Sequence, residues 1–272
     1  MSRAARTVTA DCRAGSDEGG PAEGKLAVRV RIASWNLCSC RGTDGRLDPA
    51  RVATVLESID ADMIGLQEVD WRHPPFEGRD QLAYLATRLG MHPVAGPNLR
   101  DHRGDYGNGL LTRFVPESTE QVDLSFGRRE PRGAIDAVFR CHGFSLRVIV
   151  THLGLGRAEH ARQVALLRQR IREAPSCDAV VLAGDLNEWR PKRFDSWGLV
   201  PEPFPAATRV RTYPSRFPIL ALDRILAFPE PVRFGARAVA TPLARVASDH
   251  LPIVADLEFS CGARIVPGTH PA

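Results

Sequence analysis

Two side chains that could do chemistry follow the apolar segment 180–183. Gly184 ends this segment, and Asp185 and Asn187 come next, two residues apart. A short apolar run of this kind predicts a buried strand, and glycine permits a turn or a close backbone approach at its end. Because side chains two apart on an extended chain point the same way, we expect Asp185 to take a proton or hold a metal while Asn187 donates a hydrogen bond. The alternative is a structural Asx turn, the commoner meaning of an isolated Gly-Asp-x-Asn.

The same arrangement recurs along the chain, with polar side chains at or beside the ends of apolar segments. Its other members are Asn36, Glu68, Asn108, His152, Asp223 and the adjacent pair Asp249 and His250. Each has an ordinary explanation alone: a lone histidine is more often structural than catalytic, and Asn-Gly is also a hairpin sequence. If these strand ends share one rim of a sandwich, their carboxylate and amide oxygens suit Mg²⁺ or Mn²⁺ better than Zn²⁺. Such a site fits hydrolysis of a phosphoester by a divalent ion, an Asp general base and histidines.

The hydrophobic pattern predicts the elements that would position these groups. We expect strands over residues 28–37, 62–69, 106–113, 122–126, 133–140, 144–152, 180–184, 220–228 and 251–255. The expected helices are 49–59, capped by Asp48 with Pro49 at its first position, 80–89 and 157–174. A turn at 141–143 should make a hairpin of its two flanking strands, and 191–215 should be mostly loop.

Composition and length indicate one soluble α/β domain. The chain has 272 residues and a formal net charge of only +4, so its total charge is weak support for a polyanionic partner. We expect a disordered tail over 1–25, a catalytic domain over 26–260 and a second tail over 261–272. No internal repeat at a fixed period and no linker divides the domain.

The six cysteines do not form a metal-binding pattern, and none makes a Cys-x-x-Cys pair. We expect Cys38 and Cys40 to share a strand face as small buried hydrophobic residues, and the thiols to be reduced in the cytoplasm. The N-terminus lacks the apolar segment of a signal peptide, and no apolar run is long enough to span a bilayer. A cytoplasmic monomer with no stable protein partner is therefore expected.

Seven short motifs together resemble a known family. In chain order they are Ser-Trp-Asn at 34–36, Leu-Gln-Glu at 66–68, Gly-Asn-Gly-Leu-Leu-Thr-Arg at 107–113, Thr-His-Leu at 151–153, Gly-Asp-Leu-Asn at 184–187, Leu-Asp-Arg-Ile at 222–225 and Ser-Asp-His at 248–250. In this order they resemble the endonuclease/exonuclease/phosphatase superfamily of Mg²⁺-dependent hydrolases, which includes DNase I-like nucleases, sphingomyelinases and inositol-phosphate 5-phosphatases. The resemblance implies a four-layer α/β sandwich, with two packed, mostly antiparallel sheets flanked by helices. It is greatest to compact, uncharacterised bacterial members.

The resemblance also implies roles for the acidic side of the site. Glu68 resembles the principal metal-binding carboxylate, with Asn36 beside it and Asp249 as a further metal residue. Asp185 resembles the residue that orients or deprotonates the attacking water. Asn187 resembles its partner on the phosphoryl oxygen.

The remaining roles concern the histidines and the substrate. His250 resembles the histidine that contacts the scissile phosphate, polarised by Asp249. His152 is a candidate acid for the leaving group. Three further residues match supporting positions, Asn108 at the phosphate, Asp223 in the hydrogen-bond network and Arg132 as a phosphate contact. The implied reaction is in-line attack of water on phosphorus.

The substrate is left open between two classes. A nuclease would use basic and aromatic side chains near the cleft, available at Arg190, Lys192, Arg193, Phe194 and Trp197. A phospholipid or small-phosphoester hydrolase would use a narrower pocket or an apolar rim, for which the segment 217–220 is available. A rival from another class is a catalytically silent relative that binds phosphate or nucleic acid. That rival would usually have lost a metal or base residue, and every matched position is retained here.

Overall fold

The computed structural model describes residues 27–72, 79–141, 144–173, 177–189 and 206–260. Its strands are β1 Ala27–Asn36, β2 Met63–Asp70, β3 His92–Asp101, β4 Gly104–Thr112, β5 Ser118–Asp123, β6 Gly133–Cys141, β7 Phe144–His152, β8 Ala179–Asp185, β9 Ala206–Ala207, β10 Asp223–Phe228, β11 Arg233–Ala238 and β12 Ile253–Ser260. Its helices are α1 Pro49–Ile59, α2 Gln81–Leu89, α3 Arg157–Glu173 and α4 Ala244–Ala247. A single 3₁₀ turn spans Cys38–Cys40.

The described strands form two six-stranded sheets. The first has the order β11-β12-β1-β2-β4-β3, and the second has the order β5-β6-β7-β8-β10-β9. Most neighbouring strands are antiparallel, but β1 with β2 and β7 with β8 are parallel. A parallel pair needs a crossover connection, and α1 and α3 supply the helices of these two crossovers.

Three apolar layers hold this four-layer α/β sandwich together. The central layer lies between the sheets and includes Ile32, Val148 and Val181. The first outer layer joins the first sheet to α1 and α2 through Trp35 and Leu56, among others. The second outer layer packs α3 on the second sheet. Burial of these apolar faces is the main favourable contribution to folding. The arrangement of two packed sheets with helices outside them confirms the predicted fold class.

The three predicted helices are present, Asp48 caps the first as expected, and Asp80 caps the second. The backbone N–H of Arg51 donates to Asp48 Oδ1 at 2.9 Å, and that of Ala83 donates to Asp80 Oδ1 at 2.8 Å. The antiparallel pairing of β6 with β7 confirms the predicted hairpin, although residues 142 and 143 lie outside the described ranges. None of the described helices has the length and apolar character needed to cross a membrane.

One alternative and one local prediction are wrong. The alternative of a hairpin turn at Asn108-Gly109 fails, because this pair lies inside β4, whose turn to β3 falls earlier, between Asp101 and Gly104. Cys38 and Cys40 do not share a strand face, because β1 ends at Asn36 and both residues have positive φ in the 3₁₀ turn. The predicted tails 1–25 and 261–272, and the part of the 191–215 loop before residue 206, lie outside the described residues, so the limits of the domain stay a prediction.

Candidate active site

The polar strand ends meet at one rim of the sandwich. In a parallel pair both strands run the same way, so β1 and β2 end at the same edge of the first sheet, and β7 and β8 at the same edge of the second. The strand register places His152 opposite Asp185 on one side and Asp223 opposite Asp185 on the other. The amide of Asn36 then connects the two sheets by donating to Asp185.

Gly184 permits the close strand contact that positions Asp185. Its φ is +155°, and a Cβ at this position would lie 1.9 Å from the carbonyl oxygen of Thr151. No side chain fits there, so the sequence must place glycine directly before the carboxylate. Asp185 follows on the last residue of β8, with only 2% of its surface exposed.

The Asp185 carboxylate is surrounded by nitrogen atoms from both sheets. Asn36 Nδ2 lies 3.2 Å from its Oδ2, His152 Nε2 lies 3.5 Å away, and His250 Nε2 lies 3.7 Å away. Its Oδ1 accepts the backbone N–H of Asn187 at 3.0 Å. That last hydrogen bond closes an Asx turn, and Asn187 has a positive φ. Asp185 and Asn187 therefore reach the same cleft because the chain turns between them, and not because it is extended as predicted.

Glu68 lies on the acidic side of this rim, next to Asn36. The register of β2 with β4 shifts between Leu66 and Val69, and Glu68 itself has a φ of +56°. A positive φ at a residue other than glycine is an uncommon conformation, found where the surrounding structure fixes it and often at functional sites. Asn36 Nδ2 donates to Glu68 Oε1 at 3.0 Å.

Burial raises the pKa of Glu68, and the charge of Asp249 raises it further. A divalent cation could neutralise Glu68 beside Asp249, and carboxylate oxygens are the ligands that Mg²⁺ and Mn²⁺ prefer. The chemistry of Glu68 and Asp249 therefore fits the predicted metal.

Asn36 contacts two carboxylates of the site through its NH₂ group. Its Oδ1 accepts the backbone N–H of Cys38 at 3.0 Å, which turns the NH₂ group toward Glu68 and Asp185. The NH₂ group is a donor and cannot bind a cation, whereas Oδ1 keeps a second lone pair. In this structure Asn36 therefore orients Glu68 and Asp185, and its role as a metal ligand stays a prediction.

His250 pairs with Asp223 and not with Asp249, which corrects the predicted pairing. Its Nδ1 lies 2.9 Å from Asp223 Oδ2. Burial lowers the pKa of His250, but the charge and hydrogen bond of Asp223, with Asp185 and Asp249 nearby, outweigh burial and raise it to about 10. His250 is therefore cationic at neutral pH.

His152 is neutral, which does not support its predicted role as an acid. Burial and the positive charge of Arg132 lower its pKa to about 3, although the charge of Asp185 acts in the opposite direction. An imidazole with this pKa carries no extra proton to give to a leaving group at neutral pH.

The two predicted substrate contacts lie beside His152. Arg132 NH1 is 3.1 Å from His152 Nδ1. Asn108 Nδ2 donates to the carbonyl oxygen of Gly133 at 2.9 Å, and its buried Oδ1 has no hydrogen-bond partner among the described residues. The structure therefore brings every predicted site residue to this rim or its immediate border.

Sequence reasoning did not assign three residues that contact the site. The Tyr213 ring lies 4.8 Å from the His250 ring, Thr212 Oγ1 donates to Asp223 Oδ2, and Tyr106 hydrogen-bonds Glu68. Thr212 and Tyr213 lie near the end of the predicted loop 191–215, which has no periodic pattern, so no local signal marks them. Tyr106 precedes the Gly-Asn-Gly motif by one residue, and that proximity is the one available signal.

A separate crevice lies at the opposite edge of the sheets. It has a volume of about 440 Å³ and is lined near the start of β1 by Arg29, Arg31 and Asp256, among others. Arg31 there pairs with Asp256 at 2.6 Å, and no predicted site residue lines this crevice. Its size alone does not make it a functional site.

Comparisons with known proteins agree with the motifs. The model of the Endonuclease/Exonuclease/phosphatase family matches residues 33–250. The chain is 30% identical over 222 residues to the uncharacterized protein YbhP of Escherichia coli K12, covering 75% of this chain and 86% of that protein. An endonuclease/exonuclease/phosphatase from Beutenbergia cavernae has a TM-score of 0.66 at 23% identity, covering 87% of this chain and 74% of the other. The mannosyl-6-phosphatase Bt3783 of Bacteroides thetaiotaomicron has a TM-score of 0.64 at 19% identity, covering 84% and 99%. Both solved structures share the fold of this chain.

Proposed function

Because this chain belongs to the endonuclease/exonuclease/phosphatase family, we propose that it is a phosphoester hydrolase, a phosphodiesterase that depends on Mg²⁺ or Mn²⁺. The observation that supports this most directly is the convergence on Asp185, whose Oδ2 lies within 3.7 Å of side-chain nitrogens of Asn36, His152 and His250. A buried carboxylate among donors can accept a proton from water while the donors hold an anion.

Each residue has a role that follows from its charge and its partners. Asp185 takes the proton of the attacking water, because its Oδ1 is held by Asn187 and its Oδ2 faces the reacting centre. His250, kept cationic by Asp223, faces the charge that develops on the phosphate and can protonate the leaving group. Asn187 donates to a phosphoryl oxygen. Asn108 and Arg132 border the place where the phosphate would lie.

Glu68 and Asp249 would hold the cation, which would stabilise the negative charge on the phosphoryl oxygens. A second group, Asp185, Asp223 and His250, also offers ligand atoms within 4.8 Å of one another. We favour Glu68 and Asp249, because a cationic His250 has a proton on Nε2 and cannot be a ligand.

The mouth of the site combines aromatic and apolar side chains. Trp189 packs edge-on against Tyr213, which lies against His250. Phe217 and Ile219 are 80% and 65% exposed on the adjacent loop, where the Ser215 N–H donates to the carbonyl oxygen of Asp249 at 2.7 Å. This mouth fits a phospholipid or another phosphoester with an apolar group. It also fits the stacked bases of a nucleic acid. The basic residues predicted for a nuclease, at 190–193, lie outside the described ranges.

The test is hydrolysis of bis(p-nitrophenyl) phosphate with Mg²⁺ or Mn²⁺, comparing wild type with Asp185→Asn. Loss of a general base should reduce kcat by about 10² to 10⁴. The matched control is Asp101→Asn, because that carboxylate lies at the turn of the β3–β4 hairpin and forms an ion pair with its neighbour Arg103. Equal turnover by wild type and Asp185→Asn would refute the proposed mechanism.

The substrate class is tested in parallel with supercoiled plasmid and with phospholipid vesicles. Plasmid nicking that weakens steeply with salt would identify a nuclease, because binding of a polyanion releases counterions. Hydrolysis of vesicle lipid would identify a lipid phosphodiesterase. Binding without hydrolysis of any of these substrates, in folded protein with metal present, would favour the catalytically silent alternative.

A further inference from the structure

We propose that Arg132 is a positioning residue that fixes His152 as one neutral tautomer, with its proton on Nε2, and thereby forms an anion-binding pair of N–H groups from His152 and Asn187. This inference rests on the proposed function, because it specifies which atoms of the site would contact a phosphoryl oxygen.

Arg132 is built into the structure and is not a surface arginine. It directly precedes β6, its carbonyl oxygen accepts the Leu124 N–H at 2.9 Å, and only 9% of its surface is exposed. The β6–β7 register pairs Ala134 with Thr151, so Arg132, two residues before Ala134, lies at the end of β7 that carries His152. Glu130 Oε1, 3.2 Å from Arg132 NH1, holds the guanidinium in place.

The chemistry of the guanidinium decides the tautomer of His152. A guanidinium has only N–H donors and stays protonated in proteins. Because Arg132 NH1 lies 3.1 Å from His152 Nδ1, that nitrogen must be the acceptor. A neutral imidazole with an acceptor at Nδ1 carries its proton on Nε2. A doubly protonated ring would instead set two N–H groups against each other.

The Nε2–H then faces a second donor. Asn187 Nδ2 lies 3.1 Å from His152 Nε2, and the same Nδ2 donates to the carbonyl oxygen of Leu153 at 2.8 Å, which identifies it as the NH₂ end of the amide. Asp185 Oδ2 lies 3.5 Å from His152 Nε2, which is longer than a hydrogen bond. Because two donors cannot bond to each other either, both N–H groups are available to one shared acceptor. A phosphoryl oxygen is such an acceptor, and two N–H donors at one point are the usual construction of an oxyanion site.

Removal of the guanidinium should reverse this arrangement. Without Arg132, the proton of His152 can move to Nδ1, and Nε2 can accept from Asn187 Nδ2 at the observed 3.1 Å. That internal hydrogen bond would satisfy both side chains and remove the two donors from the substrate. Arg132 therefore determines whether His152 and Asn187 bind an anion or each other.

The direct test is the tautomer itself, measured by long-range ¹H–¹⁵N correlation spectra of protein labelled at histidine, without metal and at neutral pH. The spectrum of His152→Asn assigns the His152 signals. We expect the Nε2–H pattern in wild type and in Arg132→Lys, which keeps a cationic donor, and the Nδ1–H pattern in Arg132→Met. Arg128→Met, an exposed arginine in the same loop, should leave the signals unchanged. An Nδ1–H or doubly protonated His152 in wild type would overturn the proposal.

A double-mutant cycle tests the consequence for catalysis, with bis(p-nitrophenyl) phosphate and bound Mg²⁺ or Mn²⁺. We expect Arg132→Met to reduce kcat by about 10² with little change in KM, since loss of an oxyanion donor has about this effect. We expect no further loss when it is combined with His152→Asn, because Arg132 acts through His152. Fully additive losses would overturn this and make Arg132 a direct phosphate contact. If wild type shows no hydrolysis, the proposed function fails, while the tautomer spectra still decide the role of Arg132.

Discussion

At the scale of single residues, the ion pair of His250 and Asp223 makes stability depend on pH. The folded protein raises the pKa of His250 from 6.5 to about 10, with Asp223 as the main cause that outweighs burial. A group with a raised folded pKa contributes stability that is fully present below its unfolded pKa and is lost as the pH rises through its folded pKa. The contribution of this pair should therefore be complete below pH 6.5 and disappear between there and about pH 10.

The first prediction compares wild type with His250→Gln in urea unfolding from neutral to alkaline pH, without metal. The difference in the free energy of unfolding should shrink steadily as the pH rises through this window, because wild type loses the ion pair and the variant has none to lose. A difference that stays constant or grows with pH would show that His250 is not held as a cation. His92→Gln, at an exposed histidine on β3, provides the control and should show no such trend.

The sequence predicts the types of these residues better than their pairing. The family resemblance implies that Asp249, the chain neighbour of His250, forms the carboxylate–imidazole pair with it. The actual partner, Asp223, comes from β10, and this contact depends on the packing of β10 beside β8, at a sequence separation of 27 residues. The donor at Arg132 likewise depends on tertiary contact, whereas the Asx turn at Asn187 is local, and the Gly-Asp-x-Asn sequence offers it as the alternative.

At the scale of elements, the β7–β8 contact at Gly184 should tolerate no side chain. A Cβ there would lie 1.9 Å from the Thr151 carbonyl oxygen, a backbone atom that cannot move without separating the parallel strands. We expect Gly184→Ala to cost about 1 to 3 kcal/mol or more of unfolding free energy, and to reduce activity by displacing Asp185. Gly235→Ala on β11 is the control, since nothing lies within 4 Å of its added Cβ. Equal stability of the two variants in urea unfolding would contradict this account.

A buried carboxylate, Asp136, joins β6, β7 and α3 through ion pairs with two arginines. Asp136 accepts from Arg147 Nε at 2.7 Å and from Arg170 Nε at 2.8 Å, and Arg147 also donates to carbonyl oxygens at the end of α3. Asp136 and Arg147 are both almost fully buried. Burial raises the pKa of Asp136, but the two arginines outweigh it and lower that pKa.

The third prediction is that Asp136→Asn costs about 3 to 5 kcal/mol of unfolding free energy, because it leaves the Arg147 guanidinium buried without its counter-charge. The control is Glu117→Gln, which breaks an exposed pair with Arg140 on the same sheet and should change stability by less than about 1 kcal/mol. Urea unfolding measures both variants. A small effect of Asp136→Asn would mean that the carbonyl oxygens of α3 suffice to satisfy Arg147.

The elements that the sequence predicts are those with a continuous apolar face. β1, β2, β7 and β8 are central strands, and their apolar runs identify them. The strands β3 and β11 were not predicted, because both are edge strands and lack such a run. β3 contains Pro93, Gly96 and Pro97, and β11 is half exposed along its whole length. Proline is tolerated at sheet edges, where no further strand needs its N–H, and so such a segment has no strand-like composition.

At the scale of the whole molecule, the site exists only while the two sheets stay packed. Glu68 comes from the first sheet and Asp185 from the second, and Asn36 hydrogen-bonds both. The central apolar layer therefore fixes the separation of the proposed metal residues from the proposed base. The motif order indicates this family, but the distance between sheets follows from packing along the whole length of the strands, which no single motif encodes.

Metal binding should stabilise the whole fold, and Glu68→Gln should change stability in opposite directions with and without metal. Without metal, the raised pKa of Glu68 means that the folded state disfavours its charge, because of burial and of Asp249. An uncharged glutamine removes that repulsion, so the metal-free variant should be at least as stable as wild type. With Mg²⁺ at about 100 times its Kd, wild type should gain about 2.7 kcal/mol, because the cation binds only the folded state.

Thermal unfolding with EDTA and with increasing Mg²⁺ measures both effects in one experiment. We expect the Tm of wild type to rise with Mg²⁺ and the Tm of Glu68→Gln to stay nearly flat, so that the order of the two proteins reverses as the metal is added. Asp101→Asn should follow wild type throughout, because that carboxylate pairs with Arg103 at the turn of the β3–β4 hairpin and is not one of the proposed metal residues. A full Mg²⁺ response in Glu68→Gln would move the cation to the group formed by Asp185, Asp223 and His250, and it would make His250 a ligand instead of an acid.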